Sequence, residues 1–519
     1  MTFRITYSVL NADLTELHLQ LDNALTKIRA GLGKEYPSQI LGKAHSTGHW
    51  LENRNPADTR QLLGKFSVVS PESVSQIIDY SKTAQKKWAT VGWQERARII
   101  RKAADLISER RLEISAAMIL ETGKNRLEAL GDVEESADLF RYYAGQLEEA
   151  QGFSRPLAKL SPNEDTRDIL KPYGVFCVIS PFNFPLALAA GMAGGALLGG
   201  NSVILKPSQE TPWSAVFLYE VLRDAGLPEG VFQLAFGTGS ELGAALTSNP
   251  NLDGIVFTGS KEIGMKLFHS FSVKYPKPCF LEMGGKNPAI VCESADLDIA
   301  AEGCVRSAFG LTGQKCSALS RLYLHKNIEK TFLEKFLTRA RELKIGDPTD
   351  KDTFVGPLIN ATAWNRHMKA VEEARTSGEI LLGGGDAKKV TALLHGHFVE
   401  PVLCRLPENH RIWKDELFSP FLAVTTFEDF PTVIYKANQV DYGLTGGIYS
   451  AKQTEIAYFM DNLEAGVLYS NRKTGATTGA WPGVNSFCGW KGSGGSGKGG
   501  CGPYYVAQFM REQSQTRMG

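Results

Sequence analysis

Leu14, Leu17, Leu21, Leu25 and Ile28 return at helical spacing between Ala12 and Ala30, which predicts a helix burying one apolar stripe. The same periodicity over Glu72 to Trp88 and Glu95 to Leu120 makes the N-terminal third helix-rich. From residue 174 the pattern changes to short apolar runs separated by helical stretches. The reading is strand Gly174 to Ile179, helix Leu186 to Leu198, strand Ser202 to Leu205, helix Pro212 to Ala225, strand Val231 to Ala235, helix Glu241 to Thr247, strand Gly254 to Phe257, helix Lys261 to Phe271 and strand Cys279 to Leu281. Strands joined through helices pair in parallel, so the pattern predicts a doubly wound α/β sheet. Thr211 is expected as an N-cap ahead of first-turn Pro212, and Gly226 stands just past that helix's end.

A second alternation runs from Pro288-Ala-Ile-Val-Cys292 through helix Ile299 to Phe309, strand Arg321 to His325 and helix Ile328 to Leu343, ending near Asn471. It predicts a second α/β domain. Gly489 to Gly502 has the composition of a linker. The aromatic run Tyr504-Tyr-Val-Ala-Gln-Phe-Met510 after it reads as a strand. An exposed apolar strand needs a partner, and the hairpin-like segment Phe153 to Pro172 of a neighbouring subunit is the expected one.

Composition narrows the partners. The chain has 519 residues, 43% of them hydrophobic and 22% charged, with a net charge of +1. That balance supplies no global field for nucleic acid or an anionic membrane, so the expected partner is a small molecule bound by local chemistry. Eight cysteines show neither a C-x-x-C pair nor a histidine cluster with zinc spacing. Reduced thiols, no metal and a cytoplasmic location are therefore expected. Met1 to Leu10 lacks an apolar signal core, and Asp13 and Glu16 argue against a mitochondrial address. Pro172 to Leu205 carries no charge, but Pro181, Asn183, Pro185 and two glycine pairs interrupt it, so it reads as soluble core.

Two residues carry candidate chemistry. Cys316 lies in the small-residue loop Phe309-Gly-Leu-Thr-Gly-Gln-Lys-Cys-Ser-Ala318, where backbone can approach a ligand. Lys315 beside it is a cation that would favour a thiolate. Upstream, Phe280-Leu-Glu-Met-Gly-Gly-Lys-Asn-Pro288 sets Glu282 before paired glycines. A thiolate attacks carbonyl carbon, and a carboxylate that reaches the site activates the water that releases a thioester. Covalent catalysis on a carbonyl is the expectation. Ligands of a doubly wound sheet bind at the strands' carboxyl ends, here Ser180 to Pro185, Lys206 to Ser208, Phe236 to Ser240 and Phe257 to Gly264.

From about Asn55 onward the chain resembles the aldehyde dehydrogenase superfamily, on ordered motifs: Pro181-Phe-Asn-Phe-Pro185, Lys206-Pro-Ser208, Phe257-Thr-Gly-Ser260, Leu281-Glu-Met-Gly-Gly285, Gly313-Gln-Lys-Cys316 and Glu416-Leu-Phe-Ser-Pro420. The G-x-G-x-x-G fingerprint is absent; Gly259-Ser-Lys-Glu-Ile-Gly264 stands at the strand-to-helix turn. The resemblance implies a Rossmann-type cofactor domain, an α/β catalytic domain and a small β oligomerisation element. These are set at 1–152 with 173–284, at 285–488, and at 153–172 with 489–519. It implies Cys316 as nucleophile, Glu282 as base, and an oxyanion held by the Asn183 amide and the Cys316 backbone N–H. It assigns NAD, with NADP left open by Gln209, to Ser180, Pro181, Phe182, Lys206, Ser208, Gln209, Gly239, Gly259, Ser260, Ile263, Gly284, Glu416 and Phe418. A homodimer or higher homo-oligomer is implied as well.

The C-terminal part is most similar to the branch that oxidises glutamate γ-semialdehyde, the open form of Δ1-pyrroline-5-carboxylate. The carrying residues are Ser317, Asn471-Arg472, Thr477 to Phe487 and Gly499-Gly-Cys-Gly-Pro-Tyr-Tyr505. By that resemblance Ser317 and the N–H groups of Gly479 and Ala480 bind the α-carboxylate, Glu135 meets the ammonium, and Phe184 and Phe487 sandwich the aliphatic middle. Thr474-Gly-Ala476 and Thr478-Gly-Ala480 duplicate the anchor, and Phe487-Cys-Gly489 replaces the usual Phe-Gly-Gly. Succinylglutamate or succinate semialdehyde as substrate, or a non-catalytic binding protein of the same fold, stand as alternatives.

Overall fold

The stripe from Leu14 to Ile28 forms helix Thr15–Arg29, with Leu21 and Leu25 buried. This computed structural model describes residues 14–385, 387, 395–475, 477 and 479–519. Met1 to Leu10, Ala12 and Asp13 at the expected start of the first helix, and Ala476 and Thr478 of the duplicated anchor lie outside the described residues. The helix expected over Glu95 to Leu120 is two, Trp93–Glu109 and Arg111–Thr122. Arg110 leaves helical geometry between them, at φ −92° and ψ 10°, and its guanidinium bonds Glu113 and Glu220. Apolar spacing runs straight through that break, so periodicity does not mark it. Helix Arg126–Glu149 follows, with the Asn125 side chain accepting the Glu128 N–H at 3.0 Å as its N-cap.

Among the described residues the first sheet has seven strands, in the order Cys279–Glu282, Gly254–Thr258, Val175–Ile179, Ser202–Lys206, Phe232–Leu234, Ser38–Ile40 and Lys43–His45. The first five run parallel, and the last two form an antiparallel edge. Phe176 and Val178 enter one core with the helices of the N-terminal third, while Val175 and Cys177 enter a second core on the opposite face. Both faces are apolar, which is why these strands read as unbroken hydrophobic runs. The second sheet runs Glu379–Leu382, Val402–Arg405, Phe421–Phe427, Leu319–His325, Asn287–Val291, Thr445–Tyr449 and Val467–Ser470, parallel but for its first pair. The stretch from Pro172 to Leu205 resolves into strand, loop, helix Ala187–Leu198 and strand, and no helix of the described residues is long and apolar enough to cross a membrane.

Local expectations fail where tertiary contacts decide. Thr211 makes no capping bond. The buried Glu121 carboxylate caps that helix from outside, accepting the Trp213 N–H at 2.5 Å, the Ser214 N–H at 3.0 Å and the Ser214 hydroxyl at 2.6 Å. The helix expected from Glu241 opens with a wider turn, Gly239–Gly243, capped by Thr238.

The tail also differs. Tyr505, Val506 and Phe509 fill the first core, where Phe509 meets Phe176 edge-on at 5.2 Å, and the strand is instead Met510–Met518. It pairs antiparallel with Glu164–Pro172 of the same chain, not of a neighbour, and Ser154–Pro156 completes a three-stranded sheet. Nor is Gly489 to Gly502 a linker. Trp490–Lys491 pairs with Tyr442–Gly443, the Ser493 carbonyl accepts the Met283 N–H at 2.8 Å, and the Gly495 N–H donates to the Leu281 carbonyl at 2.9 Å. A side chain at Gly489 or Gly494 would collide with the backbone across this turn, so its glycines permit close packing and do not confer slack.

Glu121 supplies a stability prediction. Burial pushes its carboxyl up to about 7, while the Ser214 and Trp213 donors pull the other way. Glu121→Ala should cost about 1–3 kcal/mol for the donors left unpaired, and Glu121→Gln, which keeps one acceptor, should cost less. Thermal unfolding should rank the wild type above Gln above Ala; equal midpoints would contradict the cap.

Candidate active site

Every residue of Gly313-Gln-Lys-Cys316 has a geometric reason. Leu311 and Thr312 take left-handed backbone (φ 49° and 55°), and Gly313 follows at φ 66°, where a Cβ would strike the Ser419 carbonyl. Gln314 plugs the turn: its Oε1 accepts the Ile359 N–H at 2.9 Å, and its Nε2 donates to the Leu311 and Pro357 carbonyls. Lys315 turns to Glu128 at 3.4 Å, so its ammonium is paired there. The Cys316 carbonyl accepts Asn287 Nδ2 at 2.7 Å, and the same amide holds the Ala318 carbonyl at 2.9 Å.

The paired glycines are equally constrained. A Cβ on Gly284 would collide with the Glu416 carboxylate, and one on Gly285 with the Cys316 carbonyl. Glu416 accepts the Gly285 N–H at 2.9 Å. Burial raises Glu416 to about 7, Glu282 to about 8 and the Cys316 thiol to about 12, the two carboxylates adding to the rise on sulfur. The Ser317 and Cys316 backbone N–H groups pull the thiol the other way. The proton therefore rests on sulfur in the free site, and Glu282 crosses from acid to base near neutral pH.

One cavity of about 120 Å³ gathers Cys316 and Glu282 with Glu135, Phe184, Ser317, Gly479, Ala480 and Phe487. Thr477 fastens its rim, donating its hydroxyl to the Ser317 carbonyl at 2.6 Å. Gly479 is left-handed (φ 94°), and its carbonyl accepts Arg472 Nη2 at 2.6 Å. Asn183 is buried, is not among the residues that line this cavity, and donates Nδ2 to the Gln314 carbonyl at 3.1 Å. That bond ties the loop of Asn183 to the loop of Cys316 and leaves the second amide hydrogen.

Two charged residues escaped sequence reasoning. Lys124 and Asp132 form a fully buried pair at 2.6 Å. The Lys124 ammonium lies 4.0 Å from the centre of the Phe184 ring, and Asp132 accepts the Ala187 N–H at 2.7 Å. Burial pushes Lys124 down and Asp132 up, each opposed by its partner. Only tertiary packing reveals the pair.

Most residues expected around a nucleotide lie at the carboxyl ends of the first sheet's parallel strands, while Phe418 precedes strand Phe421–Phe427 of the second sheet. Ser180, followed by Pro181, donates its N–H to the Lys206 carbonyl at 3.3 Å, and its hydroxyl is buried without a partner among the described residues. Lys206 is buried, lowered to about 8 by that burial, with Nζ on the Pro207 carbonyl at 3.1 Å. Ser208 accepts the Glu210 N–H at 3.2 Å, beside an exposed Gln209 side chain 3.5 Å from Glu210. Gly259 leads to Ser260, which accepts the Ile263 N–H at 3.4 Å and starts helix Lys261–Phe271. Gly239 begins the wide turn on the neighbouring connection. Phe182 and Phe418 meet edge-on at 5.7 Å. A buried cation, an orphan hydroxyl and a helix N-terminus at parallel strand ends suit ribose hydroxyls and a pyrophosphate.

Comparisons with known proteins show the family and the fold. The profile of the Aldehyde dehydrogenase family matches residues 43–514. The chain is 37% identical over 504 residues to 1-pyrroline-5-carboxylate dehydrogenase 1 of Halalkalibacterium halodurans, covering 96% of each. The crystal structure of 1-pyrroline-5-carboxylate dehydrogenase from Thermus with bound NAD superposes with a TM-score of 0.93 at 32% identity over 100% of both chains. Proline utilization A from Bdellovibrio bacteriovorus matches with a TM-score of 0.90 at 32% identity, over 96% of this chain and 52% of that longer one.

The carboxyl at Glu282 generates a pH prediction. It sits at about 8 and must be ionised to take a proton from water, so release of an acyl group from Cys316 should rise about tenfold per pH unit below 8 and level off above it. Single-turnover acyl release measured from pH 6 to 10 tests this; a rate flat below pH 8 would remove Glu282 from the step.

Proposed function

The chain belongs to the aldehyde dehydrogenase family, and on that premise we infer that it oxidises glutamate γ-semialdehyde, formed from Δ1-pyrroline-5-carboxylate, to glutamate with NAD, a step of proline catabolism. The observation that carries the reading is the single cavity in which a thiol and a buried carboxylate share walls with Glu135, Ser317, Gly479 and Ala480. The roles follow from chemistry. Cys316 passes its proton to water as its sulfur attacks the aldehyde carbon, and the oxyanion that forms is met by the Cys316 N–H and the remaining Asn183 amide hydrogen. NAD, when bound, supplies the two-electron hydride acceptor that converts the thiohemiacetal to a thioester. Glu282 takes a proton from water, the hydroxide adds to the thioester carbon, and the C–S bond breaks to release acid and thiol.

Ser180, Pro181, Phe182, Lys206, Ser208, Gln209, Gly239, Gly259, Ser260, Ile263, Gly284, Glu416 and Phe418 are proposed to hold the dinucleotide. The orphan hydroxyl of Ser180 and the buried cation of Lys206 support this. The α-carboxylate is proposed to meet the Ser317 hydroxyl and the N–H groups of Gly479 and Ala480, the α-ammonium to meet Glu135, and the methylenes to lie between Phe184 and Phe487. We assign the nucleotide to residues 1–152 and 173–284, the nucleophile to 285–488 and assembly to 153–172 with 489–519. Packing of 489–502 against the strand of Glu282 gives that stretch a second task.

A cytoplasmic homo-oligomer is proposed as well. Eight free cysteines favour a reducing compartment. Leu157, Leu160 and Met518 are exposed on the three-stranded sheet or its connecting loop, a surface that a second subunit would cover.

NAD reduction across a panel of aldehydes tests the substrate. Glutamate γ-semialdehyde should have a higher kcat/KM than succinate semialdehyde, and Glu135→Ala should remove about 10- to 100-fold of that preference, the worth of one charge-assisted hydrogen bond. Cys316→Ala should abolish turnover while still binding NAD. A wild-type preference for succinate semialdehyde would overturn the substrate, and a Cys316→Ala variant that turns over would overturn the mechanism.

A further inference from the structure

Cys501 is an unusual wall for a substrate cavity. Its backbone is left-handed (φ 60°), a conformation that glycine takes freely and a cysteine adopts under strain. The side chain is buried and lines the cavity beside Glu135, with Sγ 4.0 Å from Glu135 Oε1. The backbone around it is fastened on several sides. The Cys501 N–H donates to the Tyr143 hydroxyl at 3.0 Å, its carbonyl accepts the Gly483 N–H at 3.0 Å, and the Gly502 carbonyl accepts Gln146 Nε2 at 2.8 Å. Tyr143 and Gln146 lie on helix Arg126–Glu149, which also carries Glu135.

We propose that Cys501 is a positioning residue for substrate specificity: its thiol, held in strained backbone against helix Arg126–Glu149, steadies the Glu135 carboxylate that receives the substrate's ammonium. Strain that the surroundings enforce at a cavity wall points to a task for the side chain. The thiol is suited to it as a weak donor of modest size. Burial, with the Glu135 and Glu282 carboxylates nearby, keeps it protonated and so able to donate, and unsuited to compete with Cys316 as a nucleophile. Without the thiol, Glu135 would lose a donor and gain room to change rotamer. Binding of an ammonium-bearing aldehyde would weaken, and the chemistry at Cys316 would continue.

This inference rests on the reading of Glu135 given above, and its test separates the two. Cys501→Gly, Cys501→Ser and Glu135→Ala would each be assayed with NAD on glutamate γ-semialdehyde and on glutarate semialdehyde, which has the same length without the amino group. Cys501→Gly should raise KM for the amino substrate about 3- to 10-fold, with kcat within about twofold and the glutarate semialdehyde KM unchanged. Its thermal midpoint should be equal or higher, because glycine relieves the left-handed backbone. Cys501→Ser, which restores a donor, should return the KM to within about twofold of wild type. A Cys501→Gly variant that leaves both KM values alone, or raises both together, overturns the proposal while a collapsed preference in Glu135→Ala keeps the substrate reading. If Glu135→Ala leaves the preference intact, the role of Glu135 fails and this proposal falls with it.

Discussion

Four residues, Met283 to Lys286, connect the edge strand of the first sheet to an inner strand of the second, and the active site depends on how closely this connection passes its neighbours. Any side chain at Gly284 would push out Glu416, and any at Gly285 would push out the backbone of Cys316. At Gly285 the obstacle is backbone and cannot give way, whereas at Gly284 it is the carboxylate end of the Glu416 side chain, which would have to leave its bond to the Gly285 N–H. Because Glu282 ends one strand and Asn287 begins the other, the same short passage delivers the carboxylate and clamps the loop of Cys316 through the Asn287 amide. A second constraint sets the opposite wall. The Lys124–Asp132 pair is fully buried, so each charge needs the other; by bonding Ala187 and underlying Phe184 it pins the loop that carries Asn183.

The electrostatics follow from this enclosure. Burial is the largest influence on Glu282, Glu416 and Cys316, and it disfavours the charged form of each. Lys286, buried between Arg321 and Glu416, is lowered to about 7 by the same effect. Each of these four groups is thereby shifted toward its uncharged form.

Much of this fold was legible from hydrophobic patterning because both sheets are covered on both faces. Strands buried on two sides announce themselves as apolar runs, and helix Lys261–Phe271 has the limits its spacing implies. What escaped is what patterning does not encode. Glu121 caps a helix remote from it in sequence, displacing the local candidate Thr211. The polar strand Met510–Met518 is held by backbone pairing with Glu164–Pro172, whereas the aromatic run before it fills a core. At the site, motif order identified the residues around Cys316, and the glycine geometry explains why those motifs are rigid. Lys124 and Asp132 carry no local signal, since each is an ordinary charge in sequence and only their mutual burial makes them a pair.

The central claim is that Cys316 forms a thioester that Glu282 resolves. The most direct measurement is intact-protein and peptide mass spectrometry of Glu282→Gln, acid-quenched within one turnover of glutamate γ-semialdehyde and NAD. The account predicts a glutamyl adduct on the peptide containing Cys316, stoichiometric with the NADH formed in the burst. NADH formation with no adduct, or an adduct on another cysteine, would contradict it.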